Sequence, residues 1–174
     1  RNLGSAMRSL LRSFRFALRG ILFCICNERN MRIHLVAAVY VFTLSHFFPL
    51  SNVEYAVLII SIAMVIAAEI INTAIEELVN ISSPSFDPLA RIAKDTAAGA
   101  VFVTAVGAVG VALCIFWKPE GFLNIAQYFT DNPAMLGIAG IFTVLALLFI
   151  FAGPNRMRTV VKSNIKNSEH KKER

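Results

Sequence analysis

The amino-acid sequence predicts an all-α integral membrane protein, and its composition, apolar runs and charge distribution carry that prediction. Of the 174 residues, 56% are hydrophobic and 16% are charged, whereas about a quarter of the residues in a typical soluble domain are charged. Several apolar runs approach the roughly 20 residues that a helix needs to cross a bilayer core. The net charge of +6 comes from Lys and Arg at the edges of these runs. Basic residues at such positions set the orientation of membrane spans, so the charge predicts no nucleic-acid partner. A disordered chain, a disulfide-rich secreted domain and almost any soluble enzyme are excluded.

The first predicted element is an amphipathic helix at the membrane interface. Apolar residues between Met7 and Ile25 recur at alternating spacings of three and four, the period of one helical face. A second stripe on this helix consists of arginines, namely Arg8, Arg12, Arg15 and Arg19. Basic amphipathic helices lie on the bilayer with their arginines near lipid headgroups. This helix is either a simple juxtamembrane anchor or one wall of a lipid-facing site at the cytoplasmic interface.

Four apolar segments follow, and each is predicted to be a transmembrane helix. They cover residues 33–48, 55–81, 96–117 and 134–152. Lys and Arg are frequent before the first segment and after the fourth, and the connection 82–95 carries Arg91 and Lys94. The connection 49–54 has neither residue type, and 118–133 has a single Lys. The positive-inside rule therefore predicts that both termini and the connection 82–95 are cytoplasmic.

The second apolar segment carries polar residues that packing alone does not explain. Glu69, Asn72 and Glu76 are spaced three and four apart and so project from one helix face. Asn80 continues this stripe. An ionised carboxylate at mid-membrane costs about 2.5–3.5 kcal/mol, so it persists where it is paired or functional. Because the next connection is cytoplasmic, this face lies toward the cytoplasmic end of its helix.

Other polar residues are predicted at the same depth. Glu28 lies before the first segment, and Lys94 and Asp95 lie just before the third. A pair of carboxylates suits Mg²⁺, which completes its shell with phosphate oxygens and water. A further, poorly solvated carboxylate can act as a general base, and a nearby Lys can neutralise phosphate charge. These residue types point to phosphoryl transfer to a hydroxyl group at the membrane surface, without the Walker A motif or glycine-rich loop of a standard nucleotide fold.

Small residues and cysteines are predicted to serve packing. The third segment is rich in Ala and carries Gly99, Gly107 and Gly110, which would allow close approach of helices within or between subunits. Cys24, Cys26 and Cys114 make no metal-binding pattern and have apolar neighbours.

Five longer motifs distinguish this sequence from those of other membrane proteins. They are SFRFALRGI at 13–21, NERN at 27–30, EIINTAIE at 69–76, ARIAKD at 90–95 and AGAV at 98–101. In this order and spacing they resemble the small prokaryotic diacylglycerol kinase and undecaprenol kinase family. The resemblance implies a homotrimer in the bacterial cytoplasmic membrane, whose three-span subunits each have an N-terminal surface helix. It also implies MgATP as phosphoryl donor and a lipid alcohol as acceptor.

The resemblance further implies roles for individual residues. Glu69 would be the general base, and Asn72 would support the base and the substrate. The substrate-binding set would be Glu69, Asn72 and Ala98. The nucleotide-binding set would be Glu28, Glu76, Lys94 and Asp95. Mg²⁺ would be held by Glu28 and Glu76. The NERN motif and His34 resemble the Gram-positive branch of the family, which favours undecaprenol over diacylglycerol.

Three regions are predicted along the chain. Residues 1–32 hold the interfacial helix and the first cytoplasmic motif, 33–117 form the three-span kinase core, and 118–174 add a transmembrane helix and a basic cytoplasmic tail. This additional span departs from the family pattern and is expected to be an anchor or packing helix on the outside of the trimer. Asn80 is a second departure, because many members carry Asp there.

A small four-span proton-coupled transporter is the alternative from another class of protein. A membrane carboxylate that exchanges protons for a cation would explain Glu69 and the number of spans. It would not explain why an amide and a second carboxylate share that face, or why Lys94 and Asp95 follow. A structural subunit without chemistry has the same weakness.

Overall fold

The computed structural model describes residues 3–82 and 87–152, which form helices joined by short connections. The helices are α1 (Leu3–Asn27), α2 (Arg29–Ser45), α3 (Asn52–Ser82), α4 (Pro88–Phe116), α5 (Pro119–Asp131) and α6 (Ala134–Phe151). These two ranges contain no strand, and the predicted all-α membrane fold is confirmed. The predicted basic tail lies outside the described residues.

Within the described part of the chain, three helices are long and apolar enough to cross a membrane. They are α3, α4 and α6, and they correspond to the second, third and fourth predicted spans. The predicted first span falls in α2, which has 17 residues and so lies at the lower limit for a transmembrane helix. The crossing of the membrane by α2, and with it the four-span topology, stays a prediction.

The predicted boundary between residues 32 and 33 falls inside α2. This helix already begins at Arg29 and includes Asn30 and Arg32. The predicted segment began after the last charged residue, whereas a helical backbone can continue through charged residues. Between α1 and α2 the backbone of Glu28 is extended, with φ −106° and ψ 121°. The Glu28 amide donates to the Cys24 carbonyl over 2.8 Å. The α1–α2 junction is therefore a tight bend centred on Glu28.

The long helices α3 and α4 pack against each other and form the main helix pair of the protein. Asp87 caps α4, since its side chain accepts a hydrogen bond from the Leu89 amide over 2.8 Å and Pro88 occupies the first turn. A Cβ atom added at Gly99, Gly107 or Gly110 would meet nothing within 4 Å. The predicted close approach of another helix at these glycines is therefore not found among the described residues of a single chain.

Residues 118–133, predicted only as a connection, contain the helix α5. This helix packs over the turn between α2 and α3, where the Asn124 side chain donates to the Phe47 carbonyl over 2.9 Å. Lys118 forms an ion pair of 2.7 Å with Glu54. Gly121 lies against the Phe48 ring so closely that a Cβ atom would overlap it. The position of these residues between two predicted spans indicated a connection, but aromatic packing and the Lys118 contact hold a helix here.

Helix α6 packs against α2. The Tyr40 hydroxyl hydrogen-bonds with the Thr143 hydroxyl over 2.8 Å, and the Tyr40 ring meets Phe142 edge to face at 5.6 Å. The start of α2 faces the end of α6 through Arg32 and Ile150, so the two helices run antiparallel. Most of the α6 surface is exposed, as expected of a helix surrounded by lipid.

Candidate active site

The predicted polar face of α3 is buried where it meets the other helices. Glu69 is 1% exposed and Asn72 is 6% exposed, whereas Glu76 is half-buried. The Asn72 amide nitrogen Nδ2 donates to Glu76 Oε1 over 3.2 Å. This bond orients the Asn72 side chain, because its nitrogen is directed along α3 toward Glu76 and its oxygen is directed away.

Two buried oxygen atoms of this face lack a hydrogen-bond partner among the described residues. They are Glu69 Oε2 and Asn72 Oδ1. Buried polar atoms in native proteins are nearly always hydrogen-bonded, so an unpaired one indicates a site for a ligand, an ion or water. Both atoms are acceptors, and together they suit a group that brings a donor, such as a hydroxyl.

A pocket of about 240 Å³ lies in front of Glu69 and Asn72. It is enclosed by α2, α3 and α4, and its lining is Asn30, Ile33, His34, Glu69, Asn72, Ala98, Val101, Phe102 and Ala105. The structure therefore places the predicted substrate residues Glu69, Asn72 and Ala98 in one cavity.

Several lining residues were not predicted as site residues. Phe102 and Ala105 follow Ala98 by four and seven positions, a spacing that keeps all three on one face of α4. His34 follows Asn30 by four positions on α2 in the same way. Helical spacing from a motif residue was the available signal for these positions.

A second cavity, of about 250 Å³, lies next to this pocket. The two cavities share His34 and Ala105. The other residues of the second cavity are almost all apolar and belong to α2, α3 and α4, among them Ala37, Val41, Leu58, Ile62, Ala108 and Ala112. A polar pocket and an apolar groove are thus adjacent, an arrangement that suits a molecule with one polar end.

The predicted nucleotide residues Lys94 and Asp95 have different surroundings. Lys94 precedes Ala98 by one turn on α4, and its Nζ donates to Asn80 Oδ1 over 2.6 Å. Asp95 instead forms an ion pair of 3.7 Å with Arg91, and both of these side chains are more than 70% exposed. The structure therefore brings Lys94 to the α3 stripe through Asn80 and leaves Asp95 outside the pocket.

Glu28 approaches the site from the α1–α2 junction. The charges of Glu28 and Glu76 both act on Glu69, so the structure brings the three predicted acidic residues into one region. Cys24 connects this region to α1. Burial raises the pKa of the Cys24 thiol, a hydrogen bond with Thr73 lowers it, and the charges of Glu28 and Glu69 raise it further.

Glu28 and Glu76 are the carboxylates that the family resemblance assigns to Mg²⁺. Within residues 3–82 and 87–152, no group of three or more His, Cys, Asp or Glu side chains is arranged to hold a metal ion. Mg²⁺ commonly takes only one or two carboxylates and fills its shell with substrate phosphates and water. The oxygen donors of Glu28 and Glu76 fit such an ion when it arrives with phosphate groups.

Comparison with known proteins identifies the family. The profile described as prokaryotic diacylglycerol kinase matches residues 15–116. The chain belongs to this family. The matched segment contains every predicted site residue and ends before α5 and α6, which confirms the resemblance drawn from the motifs. No solved structure matches the chain.

Individual relatives carry two different names. The chain is 39% identical to a diacylglycerol kinase of Synechocystis sp. over 112 residues, which is 64% of each chain. It is 37% identical to an undecaprenol kinase of Bacillus subtilis over 110 residues, 63% of this chain and 89% of that one. A diacylglycerol kinase of Haemophilus influenzae is 27% identical over 111 residues. The match thus spans less than two thirds of the Synechocystis protein.

Proposed function

We propose that this protein is a lipid kinase that transfers the γ-phosphoryl group of MgATP to a lipid alcohol. The observation that carries the proposal is the buried, unpaired Oε2 of Glu69, which faces a pocket next to an apolar groove. Family membership supports the same reaction class and favours it over a proton-coupled transporter. The reaction would take place at the cytoplasmic surface of the bacterial membrane, with both termini cytoplasmic.

Glu69 is the general base in this proposal. Its free oxygen accepts the proton of the lipid hydroxyl as the hydroxyl oxygen bonds to the γ-phosphorus, and the bond from that phosphorus to the β-phosphate oxygen breaks to release ADP. Asn72 lines the pocket beside Glu69 and would support the base and the alcohol there, while the single hydroxyl hydrogen goes to Glu69. Because the Asn72 nitrogen is bonded to Glu76, its oxygen is available in the pocket. Ala98 lines the pocket and leaves room for the alcohol.

The nucleotide would bind at the cytoplasmic end of the same face. Lys94 offsets the charge of the transferring phosphoryl group, and Asn80 holds its side chain in place. Asp95 would contact the nucleotide from the next position on α4. Glu28 and Glu76 would hold Mg²⁺, which neutralises phosphate charge when it is bound.

Undecaprenol is proposed as the favoured lipid and diacylglycerol as the next. The apolar groove suits the chain of either lipid, since both present a hydroxyl on a long apolar body. His34 lies where the pocket meets the groove, and the relative of Bacillus subtilis is named undecaprenol kinase. A homotrimer is part of the same proposal, and the open glycine face of α4 is a surface that a second subunit could cover.

The proposal is tested by transfer of γ-labelled phosphate from ATP to lipid in detergent micelles with Mg²⁺. Undecaprenol and diacylglycerol are offered separately, and Glu69→Gln serves as the control. We expect label in undecaprenol well above diacylglycerol and none with the variant. The opposite lipid preference would retain the reaction and change the substrate, whereas no Glu69-dependent label in either lipid from folded protein would refute the kinase.

A further inference from the structure

Arg32 is a buried charged residue that the proposed reaction does not use. Its side chain is 4% exposed, and its guanidinium donates hydrogen bonds to backbone carbonyls of two helices. Nη1 donates to Ile25 over 3.1 Å and to Cys26 over 3.3 Å, both in the last turn of α1. Nε donates to Ile150, the penultimate residue of α6, over 3.1 Å.

The chemistry of helix ends explains this arrangement. The last carbonyls of a helix have no partner within the helix and carry partial negative charge, so a cation is favourable there. Arg presents several donors in a rigid planar fork and can therefore serve two helix ends at once, which a Lys ammonium does less well. Burying the guanidinium without acceptors would be costly, so the end of α6 supplies a partner that this charge needs.

The three hydrogen bonds of Arg32 form a clamp between α1 and α6, and this clamp lies beside the proposed nucleotide site. Arg32 follows Glu28 by one helical turn, and the two carbonyls that it holds on α1 directly precede Asn27 and Glu28. The Glu28 amide bonds to the Cys24 carbonyl in the same bend. Any shift of Arg32 would therefore move the backbone of this bend, which presents Glu28 to the site.

Helix α6 lies outside the segment that matches the family profile, which ends at residue 116. We propose that α6 is a positioning element for the active site as well as an anchor: through Ile150 and Arg32 it fixes the α1–α2 junction and thereby the position of Glu28. Arg32 is accordingly a positioning residue for MgATP. This inference rests on the proposed function, in which Glu28 holds the magnesium ion of the nucleotide.

The test compares Arg32→Gln and Arg32→Lys in the full chain, in detergent micelles. The KM for MgATP is measured at saturating lipid, and the KM for lipid at saturating MgATP. We expect Arg32→Gln to raise the KM for MgATP by about tenfold, the size of effect that follows loss of hydrogen bonds to a charged group. The KM for lipid and kcat should stay within about twofold, and Arg32→Lys should restore part of the loss.

Hydrogen exchange read by mass spectrometry provides a measurement that does not depend on catalysis. In Arg32→Gln, exchange should become faster both in the junction 24–31 and at the end of α6, where the Ala152 amide bonds to the Leu148 carbonyl over 2.7 Å. The matched control is Tyr40→Phe, which removes the other hydrogen bond between α2 and α6. It should leave the junction and the KM for MgATP unchanged.

Several outcomes would overturn the inference. An equal change in kcat and both KM values would make Arg32 a structural residue only. Faster exchange in the junction with unchanged exchange at the end of α6 would show that α6 does not position the junction. If the wild-type chain transferred no phosphate, the proposed function would fail, and unchanged exchange in Arg32→Gln would then separately disprove the clamp.

Discussion

Glu69 and Glu76 are chemically identical side chains two helical turns apart, and their different surroundings suit them to the different roles proposed above. Glu69 is almost fully buried with an unpaired oxygen, whereas Glu76 is half-buried and accepts a hydrogen bond from Asn72. A carboxylate shielded from water and aimed into a pocket suits proton abstraction. A carboxylate nearer the surface suits an ion that arrives with its own water and phosphate ligands.

This difference predicts distinct effects of two isosteric substitutions. Glu69→Gln should lower kcat by about 10² to 10⁴, the contribution of a general base, while the affinity for MgATP stays close to that of the wild type. Glu76→Gln should instead raise the KM for MgATP. Steady-state kinetics and nucleotide binding by calorimetry measure both. Near-normal turnover in both variants would show that the site is assigned wrongly.

Asn80 holds the side chain of Lys94 in place. Its amide oxygen accepts a hydrogen bond of 2.6 Å from Nζ. Asn80→Ala should raise the KM for MgATP by about fivefold, because a hydrogen bond contributes about 1 kcal/mol. Asn80→Asp keeps an acceptor and should stay near the wild-type value. Unchanged kinetics in Asn80→Ala would remove the positioning role.

Helix α5 shows how one glycine can decide whether an element docks. Gly121 permits the close approach of α5 to Phe48, whose ring also packs edge to face with Phe116 and Phe122 at 4.9 and 5.4 Å. With Lys118 paired to Glu54, this contact joins α5 to the turn between α2 and α3. The aromatic cluster therefore fixes one end of the helix bundle.

Gly121→Ala should lower the stability of the protein. The added methyl group would overlap the Phe48 ring, and overpacking of this kind costs about 1–3 kcal/mol. Gly137→Ala in α6 is the matched control, because a Cβ atom there meets nothing within 4 Å, and Ala is the better helix former. Thermal unfolding in detergent should show a lower Tm for the first variant and an equal or higher Tm for the second. Equal Tm values would mean that α5 can move away from Phe48 without a loss of stability.

At the scale of the whole molecule, three helices combine a polar pocket with an apolar groove. Ala105 belongs to the lining of both cavities and so marks the passage between them. The proposed lipid alcohol would extend through this passage, with its hydroxyl at Glu69 and its chain in the groove.

Ala105→Leu should obstruct that passage. We expect the KM for lipid to rise severalfold while the KM for MgATP is unchanged, because none of the proposed nucleotide residues lines either cavity. Val106→Leu is the control, since Val106 is 55% exposed and lines neither cavity. Phosphorylation assays with varied lipid concentration measure the effect, and equal lipid KM values in the two variants would exclude the groove as the path of the chain.

Periodicity predicted the helical fold and the polar stripe of α3 with Glu69 and Asn72, and the family resemblance added Ala98 to the residues that share the pocket. These predictions succeed because the period of a helix places residues three, four and seven apart on one face, whatever the helix packs against. The apolar runs also predicted the extents of α3 and α6 to within three residues. Helix α4 instead begins at Pro88, ahead of the predicted segment 96–117, because its first two turns carry Arg91, Lys94 and Asp95.

Contacts between helices could not be predicted from periodicity or motif spacing. The docking of α5 depends on the contact of Gly121 with Phe48, and the clamp of Arg32 depends on its hydrogen bond to Ile150. His34 and Phe102 reach one pocket because α2 and α4 both pack against α3. Each of these joins residues far apart in the chain. The amino-acid sequence by itself determined the helices and the chemistry that each face carries. Only the tertiary structure decided which faces meet, because that depends on the shapes of side chains packed from several helices at once.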